Sequence, residues 1–249
     1  RQDCADFFLT WTSNLVEEDM ADETKVRRLV RLADVEPNAV LPRICQVLES
    51  IQLGCLKAFH GSAKAHVFDP EAVQRSSRGQ AARRELVWLA ERFLSLPEHF
   101  AAAERILYRL ALAETESYGN NASGVWKQIF QVGLSGTPIP YVDRIALLED
   151  RFRDASEKSI TLLISALDAS ISGFQFGTSR VIGPPVVAGR IPPPEWRPLT
   201  YEEWHVCWVA TIGLLHRLSQ HASSLVRESV LVLTIDRLHP LVLRGSLQA

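Results

Sequence analysis

The sequence is poor in the features that announce a specialised chemistry. No stretch reaches the roughly 18 uninterrupted apolar residues that a membrane-spanning helix needs. The nearest approach, residues 230–235, is closed on both sides by Arg227, Glu228, Asp236 and Arg237. An excess of one charge is missing as well. The 27 basic and 29 acidic residues leave a formal net charge of -2, unlike the strongly basic balance of a dedicated nucleic-acid binder. Cys4, Cys45, Cys55 and Cys207 are too sparse in 249 residues for a disulfide scaffold. Each stands among apolar residues at helical spacing, which suits buried free thiols and a reducing, cytoplasmic setting. Met20 is the one methionine, and the chain opens at Arg1 without a basic-then-apolar leader. A piece of a longer polypeptide is the expectation.

Motifs of catalysis are equally scarce. A phosphate-binding loop needs a glycine-rich turn between strand and helix, ending in Lys-Ser or Lys-Thr. Gly133-Leu134-Ser135-Gly136-Thr137-Pro138 has the glycines without the lysine or the strand, so it reads as a turn. Neither G-x-S-x-G nor H-E-x-x-H occurs. Cys55, His60 and His66, with Cys45, are the residue types zinc prefers, but their spacing is wrong for paired ligands, and no metal or cofactor is expected. His205 and Cys207, two residues apart, fall on different sides of a helix and do not make a nucleophile pair.

Helical periodicity is abundant. Apolar residues recur three and four apart over residues 22–34, 41–56, 82–96, 98–116, 122–134, 141–152, 157–171, 201–220 and 222–238, each giving one oily stripe that must pack on a neighbour. Thr200 and Glu203 form an S/T-x-x-E capping box before the helix at 201. The run 230–235 alternates branched residues like a strand, yet its flanking charges fit the solvent edge of a helix, which is the assignment made here. Residues 59–79 lack periodicity and are expected as a loop. Residues 172–199 carry Pro184, Pro185, Pro192, Pro193, Pro194 and Pro198, which forbid continuous helix. Their apolar members argue that this connector packs along the helical body.

The expectation is an all-α protein of antiparallel helix pairs, stacked as an α-solenoid of the HEAT kind, with a compact helical bundle as the alternative. Residues 1–171 form the helical-repeat region. Residues 200–249 add a C-terminal hairpin continuous with the same domain.

Two groups of residues are candidates for contact with a partner. Asn120, Asn121, Trp126 and Lys127 cluster at a helix corner, where amides could grip a backbone. The plainer reading makes Asn a helix cap and Trp126 a core residue. Arg75, Arg78, Arg83 and Arg84 form a basic stretch with no acid until Glu85. It could meet an acidic protein or, as the alternative function, a nucleic-acid backbone.

Residues 103–149, AERILYRLALAETESYGNNASGVWKQIFQVGLSGTPIPYVDRIALLE, carry a resemblance. They resemble a segment in the helical regions of large multidomain bacterial proteins that couple a STAND-type or related P-loop ATPase to a long helical sensor, several of them implicated in antiphage defence. The resemblance implies a recognition or scaffolding arm whose ATPase and effector lie outside this chain. The functional expectation is therefore a non-catalytic interaction or sensing module that meets a protein partner or other domains of its parent chain, with no membrane contact. An enzyme whose site is assembled from distant residues is the other alternative.

Overall fold

The computed structural model describes residues 10–50, 70–114, 120–153, 155–172, 186–239 and 242; for residues 70–78 it describes the backbone alone. Among the described residues the chain is all-helical, with no strand and a single isolated bridge between Val187 and Arg190. No described helix is long and apolar enough to cross a membrane. The chain divides into two units: Arg1–Trp126 with Ile182–Pro193, and Lys127–Val181 with Pro194–Ala249.

Among its described residues the first unit is built on four longer helices, preceded by a 3₁₀ turn at Glu17–Ala21. Helix α1, Glu23–Ala33, starts where the Asp22 carboxylate accepts the Lys25 N–H at 3.0 Å, and it buries Val26, Leu29, Leu32 and Ala33. Helix α2, Pro37–Ser50, buries Val40, Leu41, Ile44, Val47 and Leu48. It opens on a proline, the residue whose missing N–H costs nothing in a first turn. Helix α3, Pro70–Phe93, opens the same way. Its first turns replace the loop expected at 59–79 from residue 70 onward. The stretch is polar enough to hide its periodicity, and Pro70 is an initiator, not a breaker; residues 59–69 lie outside the described residues. A 3₁₀ turn at Pro97–His99 leads into α4, Phe100–Leu112. Pro97 separates α3 from α4 as expected.

Each helix of this unit packs on two others: α1 on α2 and α3, and α4 on α2 and α3. Fully burying a Leu, Ile or Phe side chain contributes about 1.5–3 kcal/mol, and Leu29, Leu41, Ile44, Leu48, Leu86 and Phe93 are all fully buried here. Arginine–carboxylate pairs join the same neighbours. Arg27 meets Glu85 at 3.0 Å between α1 and α3, and Arg105 meets Glu49 at 2.5 Å between α4 and α2.

The short helix α5, Ala122–Gln128, contains the boundary between the units. It stops well before the expected 134, for a reason that belongs to Arg144 and is described below.

The second unit repeats the pairing order. Helices α6, Tyr141–Arg153, and α7, Glu157–Ser172, form one pair; α8, Tyr201–Ser219, and α9, Ser224–Asp236, form another. Here α6 packs on α7 and α8, and α9 packs on α7 and α8. Again an ion pair accompanies each contact between pairs: Arg217 with Glu149 at 2.6 Å between α8 and α6, and Arg237 with Asp168 at 2.6 Å, from the residue after α9 to α7. The capping box stands as expected. Thr200 Oγ1 accepts the Glu203 N–H at 3.2 Å, and Glu203 Oε2 accepts the Thr200 N–H at 3.3 Å.

The described part of the connector, residues 186–199, is not helical. Ala188 and Gly189 both hold positive φ, 48° and 73°, in a two-residue turn closed by reciprocal backbone bonds between Val187 and Arg190 at 2.8 and 2.9 Å. Val187 is buried, whereas Val186 and Ile191, also expected against the body, are exposed.

Candidate interaction surfaces

At the corner before α5 the backbone needs partners for the first N–H groups of a helix. Asn121 supplies one: its Oδ1 accepts the Gly124 N–H at 2.7 Å. Glu114 supplies another, its Oε2 accepting the Ala122 N–H at 2.9 Å. That carboxylate is paired in turn with Arg83, 2.9 Å away, whose guanidinium also donates to the Leu110 carbonyl at 2.6 Å. One buried cation thus ties α3 to the end of α4 and, through Glu114, to the start of α5. Trp126 is fully buried; its indole N–H donates to Glu104 Oε1 at 2.8 Å and its ring lies 5.0 Å from that of Tyr108.

The eight sequence candidates therefore separate. Arg83 and Trp126 face inward and hold the first unit together. Asn121 caps α5, Asn120 is exposed and Lys127 is half-buried. Arg84 is exposed on α3, and Arg75 and Arg78 belong to the part of α3 where only the backbone is described. The basic stretch is not a single solvated face, because Arg83 turns away from solvent.

Arg144 is the residue that sequence reasoning missed. It occupies a core position of α6 beside Tyr141, Ile145, Leu148 and Phe152, fully buried. Its guanidinium donates to the carbonyls of Ile129 (2.5 Å), Gln131 (2.6 Å), Ile139 (3.0 Å) and Val132 (3.4 Å). Those carbonyls would point along the axis had α5 continued. Turned instead toward one cation, they define the loop 129–139, in which Leu134 and Gly136 adopt positive φ. The guanidinium carbon lies 5.4 Å from the Tyr141 ring centre and 5.8 Å from that of Trp196. Burial pulls its pKa down to about 10, against the opposing pull of Tyr141 and Glu195. The sequence signal was an arginine set at helical spacing inside an apolar stripe.

The two described thiols and Tyr141 are buried in packed positions. Cys45 Sγ donates to the Ala102 carbonyl at 3.2 Å, and burial raises the Cys45 and Cys207 thiols to about 11, which keeps them protonated and unreactive. Cys207 is buried while His205 is exposed, so the two do face different sides. Tyr141 O–H donates to Thr211 Oγ1 at 2.6 Å, since the Thr211 hydroxyl is itself committed to the Cys207 carbonyl at 3.0 Å. Among the described residues no group of three His, Cys, Asp or Glu side chains could hold a metal ion. Cys55, His60 and His66 lie outside them.

The surface of α9 is of another kind. Val226, Val230 and Leu233 face inward, yet Leu225, Leu231, Val232 and Ile235 are exposed around the rest of the helix, as is Leu238 just beyond its end. Reading residues 230–235 as helix was sufficient to place one stripe; the second stripe was visible only as an excess of apolar residues around the whole circumference.

No protein-family model, curated protein or solved structure matches the chain.

Proposed function

We propose that this chain is a non-catalytic helical-repeat module for protein interaction or sensing, belonging to a larger cytoplasmic bacterial protein, and that its hairpins stack as in an α-solenoid of the HEAT kind. The observation that carries this reading is the pairing order common to the two units. In an up-and-down bundle consecutive helices are neighbours around a ring, so the second packs extensively on the third. In a stack of hairpins the first helix of one pair lies on the first of the next, the second lies on the second, and the chain crosses the diagonal between pairs. The extensive contacts of α1 with α3 and α2 with α4, and of α6 with α8 and α7 with α9, follow the second order. Connections within a pair are short, residues 34–36 and 94–99 in the first unit and 220–223 in the second.

Stacked hairpins offer extended surfaces rather than closed pockets, and the outward apolar side of α9 is of the sort that marks protein contact. The resemblance of residues 103–149 to helical sensor arms points to the same class of role. The test is affinity capture from bacterial extract, with and without phage infection, on the immobilised whole chain beside a scrambled-sequence helical control. The expected result is a protein enriched over the control and displaced by free chain. No protein enriched in this way overturns the reading.

A further inference from the structure

Between the turn at 187–190 and helix α8 the chain reads Ile191-Pro192-Pro193-Pro194-Glu195-Trp196-Arg197-Pro198, with neither helix nor strand. A proline fixes its own φ at about −65° and holds the residue before it in extended backbone. Ile191, Pro192, Pro193, Pro194, Arg197 and Pro198 are therefore set by proline alone. The other two, Glu195 and Trp196, are held by contacts. Glu195 accepts the Ser135 hydroxyl at 3.3 Å. Trp196 donates its N–H to the Thr137 carbonyl at 3.0 Å, and its ring lies 5.8 Å from the Arg144 guanidinium carbon. The segment is a polyproline helix of about three residues per turn, ordered before any partner arrives.

Exposure follows that period. Ile191, Pro194 and Arg197 are all exposed, Ile191 at 83% of its full accessibility. Pro192 and Glu195 are half-buried and Pro198 is buried. The third row is mixed, with Pro193 and Leu199 exposed and Trp196 half-buried. One edge thus faces water along its whole length. It presents two apolar groups and a cation, successive ones about 9 Å apart.

Chemistry narrows what that edge fits. Successive prolines lack the N–H groups that a sheet edge needs, so strand addition is excluded. The segment is not helical, so a groove shaped for an amphipathic helix does not take it. Proline rows lie instead against aromatic side chains, and a segment already ordered loses little entropy in doing so. Arg197 takes part in no ion pair among the described residues. Its neighbouring acids are placed elsewhere: Glu195 on Ser135, Glu202 on the Thr200 side chain, and Glu203 on the N–H groups of Leu199 and Thr200, at 2.6 and 3.3 Å. Those acids keep their charge, so Arg197 offers a partner a direct fork-to-carboxylate contact and not a basic field.

We infer that residues 191–197 dock in a protein domain whose groove is lined by aromatic side chains and closed at one end by a carboxylate. The inference rests on the interaction-module reading and gives it a site and a partner chemistry.

The test titrates the whole chain into an isotope-labelled SH3 domain with a carboxylate-edged aromatic groove, and into the same domain with its groove tryptophan replaced by lysine. Amide signals of the groove are expected to shift in the first and not in the second. I191D/P194D weakens binding at least about tenfold. R197E weakens it too, and regains binding to a domain whose edge carboxylate is replaced by lysine, an exchange that general stickiness does not produce. All three side chains are exposed, and thermal melts check that the variants fold as the parent does. No shift, shifts outside the groove, equal binding by I191D/P194D, unchanged charge preference in R197E, or self-association of the chain removed by I191D/P194D overturns the inference. If capture from extract still yields a partner that I191D/P194D retains, the docking site alone has failed; if neither the SH3 domain nor extract yields binding, the module reading has failed with it.

Discussion

Arg83 and Arg144 are arginines whose charge is spent inside the protein. Arg83 holds Glu114 and the Leu110 carbonyl; Arg144 gathers four carbonyls of the loop 129–139. Removing one partner of a buried pair strands the other, at a cost of about 3–5 kcal/mol. Arg83→Met should therefore destabilise the protein by about that amount in urea denaturation, with hydrogen-exchange protection lost first at the start of α5. Arg144→Met should cost about 3 kcal/mol or more, because several buried carbonyls lose their donor together. Arg144→Lys recovers little of it, since an ammonium lacks the planar fork that reaches carbonyls on several sides. From sequence, Arg83 was one member of a basic run and Arg144 was an unremarked break in a stripe. Side-chain direction separated Arg83 from Arg84, and neither residue type nor charge encodes direction when the helix's own neighbours are unknown.

Helices were the most legible elements, because a 3.6-residue period shows wherever one side is buried and the other wet. Caps were legible too. Thr200→Ala removes the side-chain acceptor of the Glu203 N–H and is expected to lower stability by about 1 kcal/mol, read as a urea midpoint shift with fraying confined to the first turn of α8. Helix ends were harder. The polar beginning of α3 hides its period, and α5 ends early because Arg144, which follows it in the chain, draws its would-be helical carbonyls away. Helix α9 gives a sharp test of rotational placement with two adjacent residues. Val230 is buried and Leu231 is exposed. Val230→Asp should cost about 3 kcal/mol or more, as an ionised group without a partner is forced into the core. Leu231→Asp should stay within about 0.5 kcal/mol of the parent. Thermal melts of the two variants side by side check this directly, and equal losses would mean that α9 is rotated from the placement described.

At the scale of the molecule, acid sensitivity is the sum of a few shifted groups. His99 is buried edge-on to Phe93, with ring centres 5.4 Å apart, and burial holds its imidazole below the ordinary histidine range; Glu98 opposes the shift and Arg190 adds to it. An unfolded chain then takes up that proton at higher pH than the folded one. The stability associated with neutral His99 is full above about pH 6.5 and declines as pH falls through that value toward the lowered one. Glu149 is held below the usual carboxylate range by its hydrogen bond to Arg217. Its contribution, of the same proton linkage but in a lower window, is present above the ordinary glutamate value and is lost as pH falls below it. Two separate losses are expected on acidification. His99→Gln should flatten the upper one and leave the lower one in place, as measured by urea midpoints across about pH 3 to 7.5. The recurrence of one pairing order, each inter-pair contact carrying an arginine–carboxylate bridge, is the other feature of this scale. Exposed pairs of that kind contribute only about 0–1 kcal/mol each, so the buried apolar stripes supply most of the strength of these contacts.

The sequence by itself determined that the described residues are helical, which stripes turn inward along most of the helices, and that Pro97 and the Thr200–Glu203 box mark helix limits. Those properties are local: a period, a cap and a proline act on residues within a few positions of themselves. Only the tertiary structure decided which pair lies on which, which of two adjacent arginines turns inward, and that α9 keeps a second apolar side uncovered. These depend on contacts between residues tens of positions apart, where any oily stripe can satisfy any other and only shape and charge in three dimensions choose between them.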